Sequence, residues 1–128
     1  MIMLQHVSIP RPPGYESRRQ AQDFFGGLLG LKELPVPKSL QHLDLVWFQV
    51  GDLELHCFAE EKVGQDPSGR HFCLVVKDVE VMRQQLVAAG YTPWDPEPIP
   101  GRPRFFCRDP FRNIIEFTTI TGDYLQLE

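Results

Sequence analysis

Four side chains able to ligate a metal or move a proton recur at matched places in this sequence. His6 lies in Gln5-His6-Val7-Ser8-Ile9, and His71 lies 65 residues later in Arg70-His71-Phe72-Cys73-Leu74-Val75-Val76. Glu54 in Leu53-Glu54-Leu55 and Glu116 in Ile115-Glu116-Phe117 are 62 residues apart. Imidazole and carboxylate together suit Zn, Ni, Fe or Mn. A strand histidine by itself is more often a hydrogen-bonded core or surface residue than a ligand. Matched recurrence of both residue types is hard to explain by packing, and it predicts two half-sites for one divalent ion.

The elements that must position these groups follow from hydrophobic periodicity. Residues i and i+2 of a strand share a face. Leu53, Leu55 and Cys57 therefore oppose Glu54, His56 and Phe58, and Ile115, Phe117 and Thr119 oppose Ile114, Glu116 and Thr118. The more apolar faces are expected under helices, which leaves both glutamates facing an open concavity. A buried ionised carboxylate is costly unless it is paired or bound to a cation. His56 shares a face with Glu54, so strand parity leaves both open as ligands, and the repeat spacing favours Glu54.

Strand Leu4 to Ile9 precedes a helix over Glu16 to Leu28, whose Ala21, Phe24, Phe25 and Leu28 form one stripe. Gly30 is its expected stop. Leu43 to Val50, turned by Gly51-Asp52 into Leu53 to Ala59, reads as a hairpin. Glu60 to Gly69 is a polar linker. The pattern restarts with strand Phe72 to Val76 and a helix over Val79 to Ala89, with Val79, Met82, Leu86 and Ala89 on its apolar face. Strand Arg104 to Arg108, a turn at Asp109-Pro110-Phe111-Arg112-Asn113 and strand Ile114 to Ile120 complete it. Gly30-Leu31 matches Gly90-Tyr91 at a spacing of 60. Two copies of this length indicate a duplicated βαβββ module rather than a solenoid.

A chain of 128 residues suits one domain, and 42% hydrophobic content is enough for a core. A net charge of −4 argues against a nucleic-acid footprint, which needs a basic face. No apolar run approaches the roughly 20 residues of a membrane span, and the N-terminus has no signal-peptide pattern, so a cytoplasmic location is expected. Cys57, Cys73 and Cys107 sit in apolar segments without a C-x-x-C pair and read as buried free thiols. The prolines cluster at 10–13, 35–37 and 93–103, which marks these segments as loops. Arg102 and Arg104 beside Phe106 could bind an anionic or planar substrate, or be solvated strand-edge charges. His42 is expected at the surface, and Arg18-Arg19 on a solvated helix face.

Taken in order, Leu4-Gln5-His6-Val7-Ser8-Ile9, Phe24 to Leu31, Arg70-His71-Phe72, Val79 to Gly90 and Asp109 to Glu116 resemble the vicinal oxygen chelate superfamily. This group contains glyoxalases, bleomycin-resistance proteins and extradiol dioxygenases. The resemblance spans about residues 4–120 and is strong in the order and spacing of its motifs. It implies an α+β fold in which two βαβββ modules, about 1–62 and 69–121, make a cup-shaped mixed sheet around a metal within one domain. By position it implies His6, Glu54, His71 and Glu116 as metal ligands, with Glu54 or Glu116 also moving a proton. His56 is the alternative ligand or acid–base group, and Arg102, Arg104 and Phe106 are the candidate substrate contacts.

The implied activity is a glyoxalase-like lyase or isomerase acting on a small α-oxo compound or thiol adduct, with an enolate stabilised at the metal. The alternatives are an extradiol-type dioxygenase and a non-catalytic, bleomycin-resistance-like binding protein. Short members of the family commonly pair as homodimers. Two departures stand out: Phe24-Phe25 where the family usually ends an aromatic pair in tyrosine, and Arg112 where it usually has glycine before asparagine.

Overall fold

The computed structural model describes residues 1–64 and 68–128. The part of the expected linker at 65–67 lies outside the described residues. The chain divides into two compact units, Met1–Gln65 and Asp66–Glu128.

In the first unit, β1 (His6–Arg11) leads to α1 (Tyr15–Ala21), a π-helix (Gln22–Leu28), β2 (Lys32–Leu34), a 3-10 turn (Lys38–Leu40), β3 (Leu45–Val50) and β4 (Leu53–Ala59). The sheet order is β1-β4-β3-β2, with β1 parallel to β4 and the other pairs antiparallel. Strand β1 runs through Pro10 and Arg11, which the sequence placed in a loop. As an edge strand it tolerates a residue without an N–H.

The single helix expected over Glu16 to Leu28 is two helices. Phe24 and Phe25 are adjacent, yet both are buried, 2% and 0% exposed. The two rings meet edge-on, with centroids 4.9 Å apart. Phe25 then reaches Phe48, with ring centroids 5.6 Å apart. Val46, Phe48, Leu55 and Cys57 form the buried sheet face. Arg11 is also fully buried there. Its guanidinium donates to Ser17 Oγ at 2.7 Å and pairs with Asp44. Burial acts to raise the Asp44 carboxyl, but the Gly14 N–H, Arg11 and Arg18 outweigh it and hold the group below its usual range. Arg18 is thus not a solvated charge: it also donates to the Leu45 carbonyl at 2.9 Å.

The second unit comprises β5 (His71–Val75), α2 (Val79–Ala88), β6 (Arg104–Arg108), β7 (Ile114–Thr118) and α3 (Tyr124–Leu127). Its sheet order is β5-β7-β6, with β5 parallel to β7. The counterpart of β2 is reduced to a single bridge between Trp94 and Phe106. Asp78 caps α2 by accepting from the N–H groups of Glu80 and Val81. Val79 and Leu86 are buried as expected, but Ala89, at the helix end, is exposed. Phe105, Cys107, Ile115 and Phe117 fill the core.

The 109–113 turn is organised by buried Asp109, which accepts from the N–H groups of Phe111 and Asn113 and from the Asn113 amide. Arg112 takes φ 73°, the one non-glycine residue with positive φ among those described. The side chain standing where the family usually has glycine keeps the glycine conformation. Among the described residues the fold is therefore α+β, built from two small mixed sheets of four and three strands, with no closed barrel. No described helix is long and apolar enough to cross a membrane.

Candidate functional site

Each sheet carries its ligand-type residues on the face opposite its core. In the first unit the parallel ladder pairs His6 with Glu54 and Ser8 with His56, and the hairpin pairs Trp47 with His56. These side chains share a face. His56 Nε2 lies 2.9 Å from Glu54 Oε1. The His56 ring stacks on Trp47 at 3.8 Å and on His6 at 4.2 Å. His6 Nδ1 meets Gln5 Oε1 at 2.7 Å. The hydrogen bond from His56 chiefly holds the Glu54 carboxyl below its usual range. Desolvation opposes it, and Gln5 and the charges of His56 and His6 add to the lowering.

In the second unit His71, Cys73, Glu116, Arg104, Phe106 and Arg108 share the open face. His71 Nε2 is 3.0 Å from Glu116 Oε1, and its Nδ1 is 2.9 Å from the Gly69 carbonyl oxygen. Arg104 donates to Glu116 Oε2 at 3.4 Å and to the Glu97 carbonyl at 2.6 Å. The Arg104 guanidinium also lies over Phe106, which meets His71 edge-on at 4.8 Å.

The ladders correct the repeat alignment. His6 faces Glu54, but His71 faces Ile114, and Glu116 faces Cys73, two residues further along β5. The topological counterpart of Glu116 is therefore His56, not Glu54, and the counterpart of Phe106 is Trp47. The near-equal sequence spacing concealed a two-residue offset, which parity cannot reveal because it preserves the face.

Other candidate residues have neighbours of their own. Arg104 donates to Glu116 and Glu97, while its buried Nε meets no acceptor among the described residues. Arg102 lies over Tyr124 at 4.9 Å. Cys57 and Cys107 are buried, but Cys73 is exposed on the open face beside Glu116. Partial burial and then the Glu116 carboxylate push its thiol up to about 11, so it is protonated at neutral pH and a poor nucleophile. His42 is exposed, as expected.

Trp47 was legible in principle. The two-residue Gly51-Asp52 turn sets Val50 against Leu53 and hence Trp47 against His56. Arg108 was legible in the same way, since strand parity puts it on one face with Arg104 and Phe106; Trp94 gave no such signal, because it sits in a proline-rich stretch without periodicity. Among the described residues no group of three His, Cys, Asp or Glu side chains is gathered closely enough to hold a metal. The donor chemistry does fit a divalent ion, as one histidine–carboxylate pair in each unit.

The family model described as Glyoxalase/Bleomycin resistance protein/Dioxygenase superfamily matches residues 17–117. Among solved structures, a glyoxalase family protein from Bacillus anthracis is 29% identical with a TM-score of 0.83, covering 94% of this chain and 96% of its own. The fosfomycin resistance protein FosX from Listeria monocytogenes has 13% identity and a TM-score of 0.77, covering 99% and 98%. TnmS3, an antibiotic binding protein from Streptomyces sp. CB03234, has 19% identity and a TM-score of 0.71, covering 94% and 97%. These last two share the fold. No curated protein matches the sequence. With the family model spanning most of the chain, and the βαβββ order complete in the first unit and reduced to βαββ plus one bridge in the second, the protein belongs to the glyoxalase/bleomycin resistance protein/dioxygenase superfamily, the vicinal oxygen chelate group.

Proposed function

We propose that the protein is a metal-dependent enzyme of glyoxalase type, a lyase or isomerase acting on a small α-oxo compound or thiol adduct. His6, His71 and Glu116 would hold a divalent cation, with Glu54 or His56 as the fourth ligand. One observation carries this reading. His71 places Nδ1 against the Gly69 carbonyl and Nε2 against Glu116 Oε1, so both ring nitrogens face acceptors. Two protons satisfy that arrangement. So does one proton at Nδ1 with a cation taking lone pairs from Nε2 and the carboxylate.

When bound, the cation supplies a Lewis acid for two neighbouring substrate oxygens. The chain's own groups divide the remaining work. Arg104 fixes the orientation of Glu116 through Oε2. Glu54, whose Oε1 is hydrogen-bonded to His56 Nε2, or Glu116 would receive a proton and pass it on. The ladder correspondence favours His56 as the fourth ligand with Glu54 as its carboxylate partner, whereas the sequence spacing favours Glu54.

Metal analysis tests this. Protein prepared without chelator is supplied with Ni, Zn, Fe or Mn, alongside His6→Ala, Glu54→Ala, His56→Ala and Glu116→Ala. One equivalent of metal is expected in the wild type, with affinity falling at least 100-fold in His6→Ala and Glu116→Ala. Loss in His56→Ala with retention in Glu54→Ala would make His56 the fourth ligand. Failure of the wild type to take up any of the four metals would overturn the enzyme reading. A non-catalytic binding protein would then lead, supported by the aromatic side chains Trp47 and Trp94 on the two open faces.

A further inference from the structure

A continuous run of flat side chains leads away from the His71–Glu116 pair within the second unit. Phe106 meets His71 at 4.8 Å, Trp94 meets Phe106 at 5.6 Å, and the Arg108 guanidinium lies over Trp94 at 5.7 Å. Trp94 is 39% exposed, a large ring left open to solvent. Arg108 differs from Arg104, two positions before Phe106. Both arginines point to the open face, but Arg104 donates both Nη groups to Glu116 and Glu97, and its unpartnered Nε is buried. Arg108 spends only Nη1, donated to the Arg112 carbonyl at 2.6 Å, and its remaining N–H groups meet no protein acceptor among the described residues.

We propose that this strip binds a substrate with a flat middle and a carboxylate at its far end, the carboxylate held by Arg108 and the flat part against Trp94 and Phe106. The chelating end would lie at His71 and Glu116, so the inference rests on the reading of that pair as part of the metal site. The Nε–Nη2 edge of one guanidinium offers two parallel N–H groups, which fit the two oxygens of a carboxylate. An arginine stacked on an indole is held in place while its edge stays available. Spacing also agrees. Phe106 is the ladder partner of Glu116, and Arg108 lies two residues along the same strand, about 7 Å away, which is close to the reach of a para-substituted benzene ring.

Three probes test this by calorimetry on metal-loaded and metal-stripped protein: benzoylformate, 4-carboxybenzoylformate, and the latter's methyl ester at the para position. The para carboxylate is expected to tighten binding at least 10-fold over both neutral-tailed probes. Arg108→Gln should shrink that gain below 2-fold, and Arg108→Lys should keep part of it. Trp94→Leu should weaken all three probes about equally. Arg19→Gln, on α1, controls for lost charge. Because Arg108 also supports the 109–113 turn, melting curves accompany each variant. If Arg108→Gln does not fold, Arg108→Lys and Trp94→Leu decide.

A para-carboxylate gain below 2-fold in the wild type, or one that survives Arg108→Gln or is unchanged in Arg108→Lys, overturns the proposal. Absence of millimolar binding by 4-carboxybenzoylformate overturns it as well. A protein that takes up no metal but keeps an Arg108-dependent gain retains the anion site and loses the enzyme reading. A metal-binding protein without the gain does the opposite.

Discussion

The two units run the same course of strand, helix and strands, and each presents a histidine–glutamate contact on its open face, yet they handle charge differently. In the first unit Glu54 faces an imidazole that is itself stacked on a second imidazole and an indole. In the second, Glu116 faces one imidazole and one permanent cation, Arg104. A second acid in each unit repeats the contrast. Partly exposed Asp44 is matched by a fully buried guanidinium, whereas buried Asp109 is held by N–H groups with only a smaller pull from Arg108. Paired ladders therefore conserve where a side chain points and leave open what stabilises it.

The same substitution in the two units should have opposite consequences. Asp44→Asn strips the charge from the partner of Arg11, which has no exposure, and should cost about 3–5 kcal/mol at pH 7 in urea unfolding. Because the Asp44 carboxyl is held below its usual range, its contribution is present above the unfolded value and lost as pH falls through the lower folded one. The gap between wild type and Asp44→Asn should therefore close in strong acid. A gap that stays constant down to pH 2 would mean the ion pair is not its source.

Asp109 runs the other way. Burial, only partly offset by the Asn113 and Phe111 hydrogen bonds, pushes it up to about 6. A raised carboxyl binds its proton more readily folded than unfolded. Stability from this group is full below the unfolded value and declines as pH rises through about 6. A shift from 3.8 to about 6 corresponds to a decline on the order of 2–3 kcal/mol across that window. Asp109→Asn should abolish the decline while changing stability at pH 7 by only about 1 kcal/mol, since an amide oxygen can still accept from the two N–H groups. Persistence of the pH 4 to 6 slope in the variant would assign it elsewhere.

The smallest expected effect is at Arg112. Its positive φ costs an L-residue roughly 1–2 kcal/mol, so Arg112→Gly should stabilise by about 1 kcal/mol after the added flexibility of the unfolded glycine. The carbonyl that receives Arg108 is main chain and survives the change. A destabilised Arg112→Gly would show that the arginine side chain itself holds the turn.

Much of the fold is legible locally. The α2 stripe of Val79 and Leu86, the Gly51-Asp52 hairpin and the period-2 faces of β4 and β7 all depend on near neighbours. Where local patterns were insufficient, the missing partner was distant in sequence. Cys73 reads as buried among Phe72, Leu74 and Val75, but the parallel ladder puts it beside Glu116. Arg11 reads as loop punctuation between prolines, but Asp44, 33 residues away, makes it a core residue.

The sequence by itself determined which residues can do chemistry and which face of each strand carries them, because side-chain alternation is a property of the strand alone. Only the tertiary structure decided the partners. Whether Glu54 or His56 corresponds to Glu116, and which arginine is occupied and which is available, depends on hydrogen-bond register between strands tens of residues apart. A shift of two residues keeps every side chain on its face while changing every neighbour, so periodicity cannot detect it.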